Sequence, residues 1–139
     1  MHERAWGNEV TPDTNVLLRA FVGDDEEQQA LAIEALNSAE FVVIGLQALC
    51  EFAWVLKKIY ETPRADIAQL IGYVLSISNA YIDFDAVEAG LSVLRGGGDF
   101  ADGVIAHEGR SQGGHVFVSF DKKAVRLLAS QGHSTQLLK

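Results

Sequence analysis

Glu9 to Phe21, EVTPDTNVLLRAF, sets Asp13, Thr14 and Asn15 between two apolar stretches. Val10 and its neighbours read as a short strand. Thr14 to Phe21 reads as a helix, with Val16, Leu17, Ala20 and Phe21 at helical spacing on one face. Pro12 has no N–H to give a sheet, so the strand ends there. A carboxylate thus stands at the corner where a strand runs into a helix. It either caps the helix or faces a site at the carboxyl end of a sheet. The rest of the chain has to supply the partners that decide between the two.

Working outward, strand and helix patterns keep alternating. Asp24 or Asp25 caps a helix whose stripe is Leu31, Ala35 and Leu36. FVVIG is a β-branched second strand. LQALCEFAWVLKKIY is a long helix with Leu49, Phe52, Ala53, Leu56 and Ile59 inward. Pro63 opens a helix to about Ile77, and AYIDFD is a third strand, with Asp85 capping AVEAGLSVLR. GGG at 96–98 breaks the chain and reads as a mobile connection. DFADGVIAHEGR resumes as a helix, GGHVFVSF is a fourth strand, DKKAVRLLASQG a helix, and HSTQLL a fifth, edge strand. Such alternation implies an α/β fold with a parallel sheet covered on both faces.

The 139 residues, 48% hydrophobic, suit one domain over 1–139 with a real core. The apolar run Phe41 to Leu49, broken by Gly45 and Gln47, is too short to span a bilayer. MHERAWGNEV has no signal-peptide core. Cys50, the only cysteine, cannot form an internal disulfide and reads as a small buried residue. These features point to the cytoplasm and to no membrane association. A net charge of −8 leaves no general basic footprint for phosphates. Lys57/Lys58, Arg95, Arg110 and Lys122/Lys123/Arg126 read as solvated helix surface.

Acids gather where strands end. Asp13 follows strand one, Asp121 follows strand four, and Glu51 lies in the first turns of the helix after strand two. Asp99 and Asp102 open the helix before strand four, three apart and so on one face. Each has an ordinary reading: Asp13, Asp99 and Asp121 as caps, Glu51 and Asp102 as exposed groups. Converging carboxylates repel, and a hard divalent cation is the usual reason for them to coexist. No Walker phosphate loop and no zinc spacing is present, and His2, His107, His115 and His133 form no dyad.

Four blocks in this order resemble a PIN domain, and within that family the ribonuclease toxins of bacterial VapBC pairs: DTNVLLRAF at Asp13, LCEFAWVL around Glu51, DFADGVIAHEGR at Asp99 and Asp102, and FVSFDKKA at Asp121. The resemblance implies a three-layer α/β/α fold with a central parallel sheet of four to five strands. It implies an endoribonuclease dependent on Mg²⁺ or Mn²⁺, a homodimer, and inhibition by a small cognate antitoxin. By position, Asp13, Glu51, Asp102 and Asp121 match the acidic quartet and Asp99 an additional acid. Thr14, Asn15 and Ser119 match supporting polar positions. Arg19 matches a common arginine, which would face phosphate, contact the antitoxin or form a surface ion pair. Gly103 stands where the family pattern has alanine, a change expected to loosen its helix. The rival functions are a non-catalytic PIN-fold interaction module, a haloacid-dehalogenase-like phosphatase and a receiver domain. Asn15 replaces the second Asp of the phosphatase motif, and Thr14 breaks the acid pair of a receiver.

Overall fold

The computed structural model describes residues 9–139. The stretch 1–8, where no signal-peptide core is expected and where His2 falls, lies outside the described residues. The elements run β1 (Glu9–Val10), α1 (Thr14–Phe21), α2 (Glu26–Ser38), β2 (Phe41–Val43), α3 (Leu46–Lys58), α4 (Arg64–Leu75), β3 (Ala80–Tyr81), α5 (Phe84–Arg95), α6 (Phe100–Ser111), β4 (Val116–Ser119), α7 (Lys122–Ser130) and β5 (Ser134–Leu137). Every ladder is parallel, as the alternation predicts. Among the described residues, hydrogen bonding links β1-β2-β3 in one set and β4-β5 in another. The chain forms two compact units, the first up to Thr62 with Gln69–Ile82, the second Pro63–Ala68 with Asp83–Lys139. Among the described residues, no helix is long and apolar enough to cross a membrane.

In the first unit, β2 is central: Val42 pairs with Val10 on one side and Ala80 on the other, and its side chain is fully buried. Parallel neighbours need helical crossovers, which α1 with α2 and α3 with α4 supply. Leu17, Leu49, Phe52 and Leu56 are buried on α1 and α3, each stabilising the fold by about 1.5–3 kcal/mol. Phe21 meets Phe52 edge to face, with centroids 6.4 Å apart. Three inward expectations, at Ile59, Leu31 and Ala35, fail. Ile59 is 65% exposed because α3 ends at Lys58 and the chain turns off at Ile59. On α2 the buried residues are Ala32 and Leu36, while Leu31 is 68% exposed. Leu31, Ala32, Ile33, Ala35 and Leu36 run round most of that helix, so the sequence offers more than one stripe.

In the second unit, α5 and α6 pack at backbone distance. A Cβ on Gly103 would lie 2.4 Å from the Ala89 carbonyl oxygen and 2.7 Å from Gly90 Cα. Gly103 thus admits the close approach, and the expected loosening of α6 is corrected by that packing. Asp83, and not Asp85, caps α5: its Oδ1 accepts from Ala86 N at 3.1 Å, because β3 stops at Tyr81 and the helix starts earlier. Residues 96–98 form a packed turn instead of a mobile connection. Gly98 N donates to Val93 O at 2.9 Å, and Arg64 Nη1 donates to the carbonyls of Leu94 and Gly98. Val93, Ala106 and Leu128 form a buried cluster flanked by Phe117 and Leu127.

A cavity of about 250 Å³ in this unit is lined by His115, His133, Ile105, Phe117 and their neighbours. Burial, with the charge of Arg110 and the proximity of His107, holds the His133 imidazole below its ordinary value of 6.5. The folded chain therefore resists a proton that the unfolded chain accepts. Stability is full above about pH 6.5 and falls as pH drops towards the lowered folded value. Urea midpoints should decline between about pH 7.5 and about pH 5.5, and His133→Gln should flatten that decline. An unaltered slope in the variant would remove His133 as its source.

Candidate active site

Asp13 sits after β1 at the N-cap of α1, in extended backbone, and its Oδ1 accepts from Val16 N at 3.0 Å. Asp121 repeats this after β4: its Oδ1 accepts from Lys123 N and Ala124 N, and its own N–H donates to Ser119 Oγ at 2.9 Å. The capping reading of both is thus real. It uses Oδ1 alone in each case, so capping and a second ligand role for Oδ2 are chemically compatible.

Next to Asp13, the Thr14 hydroxyl donates to Glu51 Oε1 at 2.6 Å. This short, charge-assisted bond ties the first turn of α1 to the sixth residue of α3. Glu51 is exposed, while Phe52 and Ala53 beside it are buried. Asp13, Thr14 and Glu51 therefore share one corner of the first unit. Asn15 is exposed and lines, with Val16, Arg19, Gln28 and Leu31, a cavity of about 280 Å³ between α1 and α2.

Asp99, Asp102 and Asp121 belong to the second unit. Asp99 is the N-cap residue of α6, yet its side chain makes no capping bond. Asp102 lies in the first turn, half-buried, with its N–H donating to Asp99 O at 3.1 Å. All five acids offer hard oxygen donors, the kind Mg²⁺ and Mn²⁺ take. Among the described residues, no three His, Cys, Asp or Glu side chains form a group arranged to hold a metal ion.

Arg19 takes the ion-pair alternative. Its Nη1 donates to Asp24 Oδ1 at 2.8 Å, and Tyr60 donates to Asp24 Oδ2 at 2.9 Å. The Tyr60 hydroxyl first, then Arg19, holds the Asp24 carboxyl below its ordinary value. Tyr60 lies 36 residues beyond Asp24, so nothing local in the sequence announces this triad.

A model of the PIN domain matches residues 10–128 of the chain. The chain belongs to the PIN domain family. The match takes in parts of both units and every one of the five acids. PIN domains are in general nucleases, hydrolases of phosphodiester bonds that typically use divalent metal ions. No curated protein matches the chain.

The cap at Asp13 can be separated from any charge-dependent role in this PIN domain. Asn caps as well as Asp, whereas Ala costs about 1 kcal/mol. Without metal, Asp13→Asn should melt within a degree or two of the parent and Asp13→Ala clearly lower. Equal losses in both variants would show that the charge, and not the cap, carries the stability.

Proposed function

We propose that this PIN domain is an endoribonuclease toxin of the VapC kind, dependent on Mg²⁺ or Mn²⁺ and neutralised by a small cognate antitoxin. The observation that carries the reading is the family match over residues 10–128, which encloses Asp13, Glu51, Asp99, Asp102 and Asp121. Asp13, Glu51, Asp102 and Asp121 would hold the ion, with Asp99 as a further ligand. A bound divalent ion supplies a water of lowered pKa and positive charge for the phosphoryl group.

The remaining work falls to the chain itself. The Thr14 hydroxyl fixes the rotamer of Glu51. Ser119, through the Asp121 N–H, fixes the start of α7. The attacking water gives up one proton to solvent as its oxygen bonds to phosphorus opposite the 3′-oxygen, the P–O3′ bond breaks, and the leaving oxygen takes a proton from solvent. The products are a 5′-phosphate and a 3′-hydroxyl.

Purified protein incubated with RNA and Mg²⁺ or Mn²⁺, against an EDTA control, tests this. Cleavage should require the ion and leave 3′-hydroxyl ends. A 2′,3′-cyclic phosphate would make the RNA 2′-hydroxyl the nucleophile and overturn the mechanism.

The same reading includes a homodimer and an antitoxin-binding surface. Exposed Trp54 and Leu31, on helices of the first unit, supply apolar area for them. Sedimentation at micromolar concentration should give a dimer, and a monomer would remove that part.

A further inference from the structure

The cations are unevenly shared. Seven Lys and Arg against eight acids leave the second unit at −1, and four against eleven leave the first at −7. Three of the seven, Lys122, Lys123 and Arg126, lie in the first five residues of α7. All are exposed, and among the described residues none forms an ion pair. Lys122 and Lys123 occupy the first two helical positions, where the positive end of the helix dipole disfavours them. Two cations kept against a local rule mark a position where function competes with stability.

The turn at 96–98 gives them a place. A Cβ on Gly98 would lie 2.7 Å from Leu127 Cδ1, and one on Gly96 3.3 Å from Leu127 Cδ2. Helix α7 therefore rests on this turn. One helical turn before Leu127, Lys123 passes over Gly97: a Cβ there would lie 3.5 Å from its Cε and 3.7 Å from its Nζ. Gly97 has φ +105°, which excludes ordinary side chains and keeps the backbone beneath the ammonium bare. The turn leads directly into Asp99, and Lys123 is two residues past Asp121. The ammonium group thus lies close to the segments that carry two of the proposed acidic ligands.

We propose that Lys123, flanked by Lys122 and Arg126, holds an RNA backbone phosphate adjacent to the scissile one; this rests on the endoribonuclease reading above. Lysine binds phosphate as a point charge without reading sequence. An acidic protein partner is the competing occupant. The nearness of the lysine to Asp99 and Asp121, where a phosphate has to arrive, favours RNA.

The test uses a fluorescein-labelled single-stranded RNA, with anisotropy measured in EDTA across a salt series and steady-state cleavage measured in Mn²⁺. For a Lys122→Gln/Lys123→Gln/Arg126→Gln variant, the log–log salt slope should become shallower by about 2, at about 0.7 per lost contact on a single strand. KM should rise about tenfold, with kcat changing far less, because the contact serves bound substrate and transition state alike. The melting temperature should not fall, since the lysines oppose the helix dipole. Lys123→Gln alone should account for about 0.7 of the slope change. An unchanged slope and KM in the triple variant, with the parent cleaving RNA, overturns this inference alone. So does an unchanged slope together with lost binding to a polyglutamate peptide, which would assign the stripe to a protein partner. A parent chain that neither binds nor cleaves RNA overturns the endoribonuclease reading as well.

Discussion

Asp102→Asn should lower RNA cleavage by roughly a hundred- to a thousandfold, the scale seen when one electrostatic group of a catalytic centre is lost. The substitution keeps the shape of the side chain and its half-buried place in the first turn of α6. What it deletes is one negative charge and one hard ligand oxygen. Through the helix dipole alone, a carboxylate near a helix N-terminus contributes about 0.3–1 kcal/mol. Loss of activity therefore cannot be confused with unfolding if melting curves are recorded alongside the rates. Calorimetric titration with Mn²⁺ gives a second readout, in which the variant should bind the ion more weakly than the parent. Activity within about tenfold of the parent, at saturating Mn²⁺, would remove Asp102 from the proposed ligand set.

Gly103→Ala should destabilise the protein by about 2 kcal/mol. Intrinsic propensity points the other way, because Ala is better than Gly inside a helix by about 1 kcal/mol. The new methyl would have to lie 2.4 Å from the Ala89 carbonyl oxygen and 2.7 Å from Gly90 Cα. Both are backbone atoms and cannot rotate away, so α5 and α6 must part. Overpacking of this kind costs about 1–3 kcal/mol, and a backbone clash belongs at the upper end. Gly72, inside α4, is the control, because a Cβ there meets nothing within 4 Å. Gly72→Ala should raise stability by about 0.5–1 kcal/mol. Urea denaturation of both variants decides the matter. Opposite signs are expected, and a stabilised Gly103→Ala would mean that the helices separate at little cost.

The order of strands and helices was legible because period-2 and period-3.6 patterns alternate with clear punctuation, from the Pro12 stop to the glycines at 113 and 114. Caps were legible where one acid stood alone at a boundary, as at Asp13 and Asp121. The pattern is ambiguous where two acids compete: Asp85 reads as the cap of α5, and Asp83 is the residue that caps it. Burial misled where apolar residues outnumber the places for them, as on α2 and at Ile59. Propensity scales mislead at these glycines because they price a missing side chain and say nothing of a neighbour's backbone. By propensity Gly103 reads as a weak point and residues 96–98 as slack, yet both are close contacts with residues from other segments of the chain. Within the candidate site, residue types and their order were readable. The Thr14–Glu51 bond was not, because its partners are 37 residues apart and only the paired folding of α1 and α3 brings them together.

The contact between α5 and α6 also bears on how variation in this gene would be interpreted. Any missense change at Gly103 adds at least a Cβ, and the next codon upstream encodes Asp102. In a saturation screen scored by activity alone, the ligand role proposed for Asp102 and the packing of Gly103 would both register as losses, and the two positions would look like neighbouring members of one catalytic motif. Scored by protein abundance, they would separate: under the proposed ligand role, variants at 102 would persist, while variants at 103, which must part α5 from α6, would be depleted. Intolerance to substitution at this site would then report two unrelated forms of selection on adjacent codons, one on charge and one on volume.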